Sequence, residues 1–449
     1  MKRVGVLMAV FFFLNGVVGS SVFAEGEEAE RGGAGQIFLS WSGDPKTTQT
    51  VTWGDMERSG KFLQYRKAGT ESFSKPIEAR ETEIGEQETF RYEVVLDNLV
   101  PGTSYEYRVG APGQWGGISS FKTEEEEQAS FSAFVLGDVQ FNVREEDYAV
   151  WGKFLRDAYK EHPETQFALM TGDYVNTANL WRDWNCYLNQ AAVFSCIPVM
   201  TAPGNHETQY LPFTYLKLFA LPENGPAGAA EEFYSFDYAG CHFVSLNSCV
   251  LMREREKFMG ESAWDDLIDG IDVWLKEDLQ KNRKKWNVVF LHHPAYGVDE
   301  NSRLSEEIRK RWVPVFEDVG VDLVLCGHQH VYMRSETING VTYIMGNSGQ
   351  KRSQYYNAER VPSYVEKVNE EHSVYGILYG DEKTLRLTVY DETHTPLDVW
   401  EKDRMGQPPA AVFPGTALTA VGVALAVIMG VLTVREKRKK RNEAHRVEK

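Results

Sequence analysis

The sequence predicts an all-β sandwich over residues 36–123, a layered α/β domain over 129–402 and a single C-terminal transmembrane helix over 412–434. Three observations carry this. In the first segment, short runs of alternating apolar and polar residues are separated at close spacing by Gly, Pro, Asp and Asn, as in an antiparallel sandwich. From residue 129 onward, short apolar runs alternate with amphipathic stretches, a pattern that layers helices on sheet and gathers binding residues at the carboxyl ends of the strands. Residues 412–434 carry no charge and are long enough to cross a hydrocarbon core.

In chain order, Met1-Lys2-Arg3, an apolar run over 4–18 and Val22-Phe23-Ala24 read as a secretory signal over residues 1–24. A Glu- and Gly-rich spacer follows over 25–35. Strand-like runs then fall at 37–41, 48–53, 62–65, 90–96 and 104–109, and the acidic run 124–127 reads as a solvated linker. In the α/β domain, strands are expected at 131–136, 167–170, 197–200, 288–291, 321–325 and 341–345, and helices at 146–159, 264–279 and 304–316. A strand-rich close covers 374–400. The basic tail 435–449 follows the apolar span at once, which by the positive-inside rule makes it cytoplasmic. With the signal at the other end, this gives a single-pass cell-membrane protein with its catalytic domain outside.

Composition narrows the function. With 449 residues and 42% hydrophobic content the chain buries large cores, which excludes a disordered protein. The net charge is −17 despite the basic tail, which argues against a surface for nucleic-acid backbones. The five cysteines, at 186, 196, 241, 249 and 326, are odd in number and form no CxxC; a bridge such as Cys186 with Cys196 is not readable from spacing.

The chemistry sits at five strand ends: Gly137-Asp138-Val139-Gln140, Gly172-Asp173-Tyr174-Val175-Asn176, Gly204-Asn205-His206-Glu207, His292-His293-Pro294 and Gly327-His328-Gln329-His330. A single Gly-Asp pair is ordinary turn chemistry, whereas five such clusters in this order are not. Each Gly is expected to let the backbone turn sharply and aim a short side chain at the sheet edge. Two divalent ions roughly 3.5–4 Å apart repel, so a carboxylate must bridge them with mixed oxygen and nitrogen donors outside. Asp, Asp, Asn and three His supply that set. His242, in Cys241-His242-Phe243, reads as structural.

These clusters resemble the calcineurin-like metallophosphoesterase pattern, whose fold is a layered α/β/β/α domain. The segment Leu99-Val100-Pro101-Gly102-Thr103-Ser104-Tyr105-Glu106-Tyr107-Arg108-Val109 resembles a fibronectin type III corner, and more closely the N-terminal domain of purple acid phosphatases. The resemblance implies a phosphoester hydrolase of acid-phosphatase type with two divalent ions. Asp138, Asp173 and His330 would hold the first ion, and Asp173, Asn205, His292 and His328 the second, with Asp173 bridging. His206 would reach the phosphate or protonate the leaving group, and Glu207 would support the ligands. His293 and Tyr296 are candidates for the pocket, and Arg334 either touches phosphate or bridges neighbouring elements.

Two departures stand out. Purple acid phosphatases place a Tyr where this chain has Asn176, which argues against ferric iron and for Mn, Zn or Fe(II). Relatives without that Tyr carry Asp-x-His in the first motif, where this chain has Gln140, an amide that either ligates or holds a metal-bound water. Phosphodiester or nucleotide hydrolysis on the same fold is the alternative within the enzyme class. A non-catalytic surface binding protein is the alternative outside it.

Overall fold

A computed structural model describes residues 35–404 except 56–59, 85–88, 142–143, 209–212 and 300. The expected signal at 1–24, membrane span at 412–434 and tail at 435–449 lie outside the described residues. Among the described residues, no helix is long and apolar enough to cross a membrane.

The first segment folds into two antiparallel sheets. One orders Gly35–Ser40, Gln49–Asp55, Thr89–Leu96 and Arg80–Ile84; the other orders Ile77–Glu78, Phe62–Lys67, Ser104–Ala111 and Gln114–Trp115, with Ser119–Lys122 also paired to Ser104–Ala111. Alternation along the strands sends Val51, Trp53, Tyr92 and Val94 of one sheet and Leu63, Tyr105, Tyr107 and Val109 of the other into one buried cluster. At the corner, the Val100 N–H donates to the Tyr105 hydroxyl oxygen at 2.9 Å.

This sandwich is fused to the α/β domain. Phe38 packs on Phe194 and Phe219 at ring distances of 5.7 and 5.8 Å, and Trp41 packs on Phe167 and Tyr238 at 5.4 and 5.2 Å. The Tyr107 hydroxyl donates to the Ser195 carbonyl, and buried Arg91 donates to the carbonyls of Gln36 and Leu218. Glu124 corrects the solvated-linker expectation: it is 5% exposed and accepts the Ala239 N–H at 2.8 Å. Its neighbours Glu125, Glu126 and Glu127 do face solvent.

The α/β domain holds two sheets. The six-stranded sheet orders Val199–Thr201, Phe167–Met170, Ser130–Leu136, Val374–Asp381, Thr384–Asp391 and Pro396–Asp403. The seven-stranded sheet orders Tyr234–Tyr238, Cys241–Leu246, Trp286–Leu291, Leu323–Cys326, Thr342–Met345, Tyr332–Ser335 and Val365–Asn369. Alternation along the second sheet explains the layering. Val288, Phe290, Leu323 and Leu325 join the core shared with the first sheet, while Val289, Leu291 and Val324 join a core with the helices Glu261–Lys281, Arg303–Arg311 and Val313–Val319. Phe243 meets Phe131 and Phe167 at 5.5 Å each, closing the space between the sheets.

Two elements differ from expectation for local reasons. The expected helix at 304–316 is two helices, because Pro314 sits in the first turn of a new helix rather than inside the old one. The strand expected at 197–200 begins at Val199, since Pro198 has no N–H to give a ladder. Cys186, Cys196, Cys241, Cys249 and Cys326 are all free thiols, so the 186–196 bridge does not form.

Candidate metal centre

Parallel strands Ser130–Leu136 and Phe167–Met170 of one sheet and Trp286–Leu291 and Leu323–Cys326 of the other end at a common edge, and the loops that follow carry the acidic and imidazole side chains. Their backbone is unusual. Asp138, Asp173, His328 and His330 have φ of 52°, 57°, 77° and 53°, left-handed conformations that non-glycine residues rarely adopt. The glycines before them act mainly by allowing close approach. A Cβ on Gly327 would meet Asp138 Oδ2 at 2.2 Å, one on Gly204 would meet Asp173 Oδ1 at 2.1 Å, and one on Gly137 would meet Thr171 Oγ1 at 2.0 Å. Sharp turning at the glycine itself holds at Gly172, with φ of +99°.

Asp138, Asp173 and His330 bring one donor atom each within 4.8 Å of one another. The Asp138 carboxylate accepts the His328 N–H at 2.8 Å. Asp173 Oδ1 accepts the His206 N–H at 3.0 Å, leaving Oδ2 at the convergence point, 3.1 Å from His292 Nε2 and 3.0 Å from Gln140 Nε2. Asn205 Oδ1 lies 3.1 Å from His292 Nε2 and 3.0 Å from His328 Nδ1. Donor atoms on adjacent corners of an octahedron with bonds of about 2.1 Å stand about 3 Å apart, so this spacing suits an ion among them.

Supporting contacts fix the orientations. The His292 Nδ1–H donates to the Thr171 carbonyl at 2.9 Å, so Nε2 faces the site. Glu207 is buried, and its carboxylate accepts the N–H groups of Asp173 and Gly204 at 2.8 Å and of Tyr174 at 2.9 Å. The His206 Nδ1–H donates to the Asn176 carbonyl at 2.6 Å, and its Nε2 lies 3.9 Å from Asp173 Oδ2. Asn176 therefore contributes its main chain here, while its side-chain amide turns to Thr177. Tyr174 points away, its hydroxyl donating to the Ala202 carbonyl.

Electrostatics follow from burial. Burial raises Asp138 to about 7, and burial followed by the charge of Asp173 raises Glu207 to about 7. Burial opposes ionisation of Asp173, yet the adjacent His292 holds it below the ordinary carboxylate range. His292 is raised to about 9: burial works against its charge, and Asp173 outweighs it. Burial and then His292 lower His328 to about 3; burial and then the Lys351 ammonium do the same for His330. Two buried atoms at the centre lack a hydrogen-bond partner, Gln140 Oε1 and His330 Nδ1. An unpaired amide oxygen, two carboxylates and the imidazoles of His328 and His330, kept neutral by burial, together fit a bound cation.

Of the three pocket candidates, His293 stays at the centre, with a donor atom within 4.8 Å of those of His292 and His328, and the other two are placed elsewhere. His293 is buried against His328 at a ring distance of 4.2 Å, with Nδ1 facing Ser248 Oγ at 3.0 Å. Tyr296 is held in an aromatic cluster with Tyr343 and Tyr364, at 4.7 and 5.2 Å, rather than among the converging donors. Arg334 takes the bridging role: it lies on Tyr332–Ser335 with its guanidinium paired to Asp398 at 2.7 Å and Glu366 at 2.6 Å, because a buried cation takes the carboxylates beside it. His242 is structural, bridging Asp237 at 2.7 Å and Asp278 at 2.9 Å. Sequence reasoning missed Lys351 and Tyr355. Their signal was a sixth strand end, where Gly346-Asn347-Ser348-Gly349 closes the strand Thr342–Met345.

Comparison with known proteins places these features. Residues 131–332 match the calcineurin-like phosphoesterase family, and residues 34–123 match the purple acid phosphatase N-terminal domain. An uncharacterized protein of Mycobacterium tuberculosis is 30% identical over 39% of this chain, and the match spans only 35% of that relative's length. Acid phosphatase type 7 of Mus musculus is 27% identical, covering 67% of this chain and 70% of its own. The purple acid phosphatase from yellow lupin (Lupinus luteus) seeds shares the fold with a TM-score of 0.64 at 15% identity, covering 85% of this chain and 78% of that one. Residues 34–123 are thus a purple acid phosphatase N-terminal domain and residues 131–332 a calcineurin-like phosphoesterase domain, and the yellow lupin protein shares the fold over most of the chain.

Proposed function

We propose that this protein is a dinuclear metal-dependent phosphoester hydrolase, a phosphomonoesterase of acid-phosphatase type held at the outer face of a membrane. The observation that carries the chemistry is Asp173, a buried carboxylate in a left-handed conformation whose Oδ2 lies about 3 Å from donors on both sides. Asp138, Asp173 and His330, with the Gln140 amide oxygen after a half-turn of its carboxamide, would hold one ion. Asp173, Asn205, His292 and His328 would hold the other. With no phenolate among these donors, Mn, Zn or Fe(II) suits the set. When bound, such ions supply a nucleophile from water at ordinary pH and draw charge from the phosphoryl oxygens.

The chain's own residues do the rest. His206, held through Nδ1 by Asn176, presents Nε2 to the centre and in its protonated form gives that proton to the leaving oxygen. Glu207 fixes the backbone from which Asp173 projects. The membrane location rests on the sequence at 1–24 and 412–441, with its basic cluster on the cytoplasmic side. Asp173→Ala and His292→Ala are expected to abolish hydrolysis of an aryl phosphate while the far-ultraviolet circular dichroism stays parental. Undiminished turnover in either folded variant would overturn the reading.

A further inference from the structure

The loop 346–364 leaves the strand Thr342–Met345 and crosses the candidate centre. At its start the Ser348 N–H donates to the Gly137 carbonyl at 2.8 Å, and Gly349 lies so close to Asp138 that a Cβ would meet its carbonyl oxygen at 2.3 Å. Six residues later the Tyr355 ring lies over His328, with centroids 5.6 Å apart and planes tilted by 31°. The loop is therefore anchored beside one donor group and packed against the other. The Asn347 amide holds its bend by donating to the Lys351 carbonyl at 2.8 Å.

Lys351 stands between the two anchors, half-buried, and its ammonium makes no ion pair among the described residues. In a chain of net charge −17, a cation beside the candidate centre that makes no ion pair is available to an anionic ligand. Beyond Tyr355 a cavity of about 1060 Å³ opens, lined among others by Tyr355, Tyr356, Asp299, Asn301 and Arg360. Tyr355 keeps 36% of its surface exposed there. An exposed aromatic ring bordered by amide, carboxylate and guanidinium groups suits a flat, polar-edged ring and not an acyl chain.

We propose that this loop selects the substrate: Lys351 binds a free phosphoryl oxygen, and Tyr355 stacks on the planar heteroaromatic base of a leaving nucleoside seated in the cavity, whose ribose oxygen departs from phosphorus. The inference rests on the phosphoester-hydrolase reading and adds a substrate class to it.

The test compares adenosine 5′-phosphate with glycerol phosphate on the metal-loaded protein. Tyr355→Ala is expected to lower kcat/KM about tenfold for the nucleotide alone, and Tyr355→Phe to leave it near parental, because base–aromatic stacking is tolerant of the ring used. Lys351→Gln lowers kcat/KM about tenfold for both substrates. Equal effects of Tyr355→Ala on both substrates, or no effect on either, overturn the proposal and leave the hydrolase reading standing. A second readout is calorimetric binding of adenosine, which carries no ester to cleave. Parental binding that weakens about tenfold in Tyr355→Ala supports the recognition role even if neither ester turns over, an outcome that removes the hydrolase reading alone. Absence of adenosine binding to the parent overturns the recognition role.

Discussion

Glu207 offers the sharpest check on how the centre is held. Its buried carboxylate accepts three short main-chain hydrogen bonds, from Asp173 and Gly204 at 2.8 Å and Tyr174 at 2.9 Å, with Val175 at 3.4 Å. Glu207→Ala leaves three buried N–H groups without an acceptor, each costing about 1–3 kcal/mol. Relaxation and entry of water absorb part of that sum, so the loss expected is about 3–5 kcal/mol, of the order of breaking a buried ion pair. At about 2–4 °C per kcal/mol for domains of 150–250 residues, and less for a larger unit, thermal melting followed by circular dichroism should fall by about 5–15 °C. Glu207→Gln keeps one acceptor oxygen but turns an NH₂ toward a donor, and should fall between the two. Hydrolysis should fall about a hundredfold in the folded fraction of Glu207→Ala, because a displacement near 1 Å of a positioning group has that cost. A melting point within about 2 °C of the parent together with full activity would refute the reasoning, since no redistribution of hydrogen bonds accounts for both.

Four further outcomes follow. Gln140→Ala should lower retained metal, read by elemental analysis after dialysis, with affinity reduced about 10–100-fold, and Gln140→His should restore it, since imidazole can occupy the same corner. Arg334→Ala should cost about 3 kcal/mol in urea titrations by leaving the Asp398 carboxylate without its cation and held by the Tyr332 hydroxyl, while activity per folded molecule stays parental. His206→Ala should lower kcat by about 10²–10⁴-fold without changing bound metal. Glu124 gives a pH effect: burial raises it from 4.5 to about 7, with the Ala239 N–H and Lys46 pulling down and Asp44 and Asp237 pushing up. A carboxyl raised in the folded state contributes stability that is present below pH 4.5 and is lost as pH climbs through about 7. Unfolding free energy should therefore decline by about 1–3 kcal/mol over that window, and Glu124→Gln should flatten the decline.

The fold class was legible because burial imposes a period, and the same residues that repeat every second position in 48–53 and 90–96 do face one core as Val51, Trp53, Tyr92 and Val94. The donor clusters were legible because Asp138, Asp173, Asn205, His292, His328 and His330 each end a strand, and parallel strands finish at one edge. What stayed hidden depends on partners distant in sequence. Glu124 looked like part of a solvated run, and only the approach of Ala239 buries it. Arg334 follows His330 by four residues, which suggested a place at the site, but a strand that begins at Tyr332 carries it to Asp398. Lys351 and Tyr355 lie in a loop without periodicity, and their relevance comes from Gly349 touching the Asp138 backbone. The seam through Phe38 and Trp41 was equally unreadable, since an aromatic residue on a strand does not announce which of two faces has a second domain behind it.

The left-handed backbone at Asp138, Asp173, His328 and His330 connects stability to function. Each such residue costs about 1–3 kcal/mol and persists only where surroundings over-determine it. Here those surroundings are the Glu207 carboxylate, the His328 N–H on Asp138 and the crowded glycines. A cation adds to the same constraint, since occupancy at a hundred times its dissociation constant stabilises the folded chain by about 2.7 kcal/mol. Chelation should therefore lower the melting point of the parent, while Asp173→Val should be damaged even without metal, because a β-branched side chain tolerates φ near 57° poorly. Asp173→Asn, which suits that conformation, should melt close to the chelated parent and lose the response to added metal. If Asp173→Val and Asp173→Asn melt together, strain is not what the surrounding contacts hold in place.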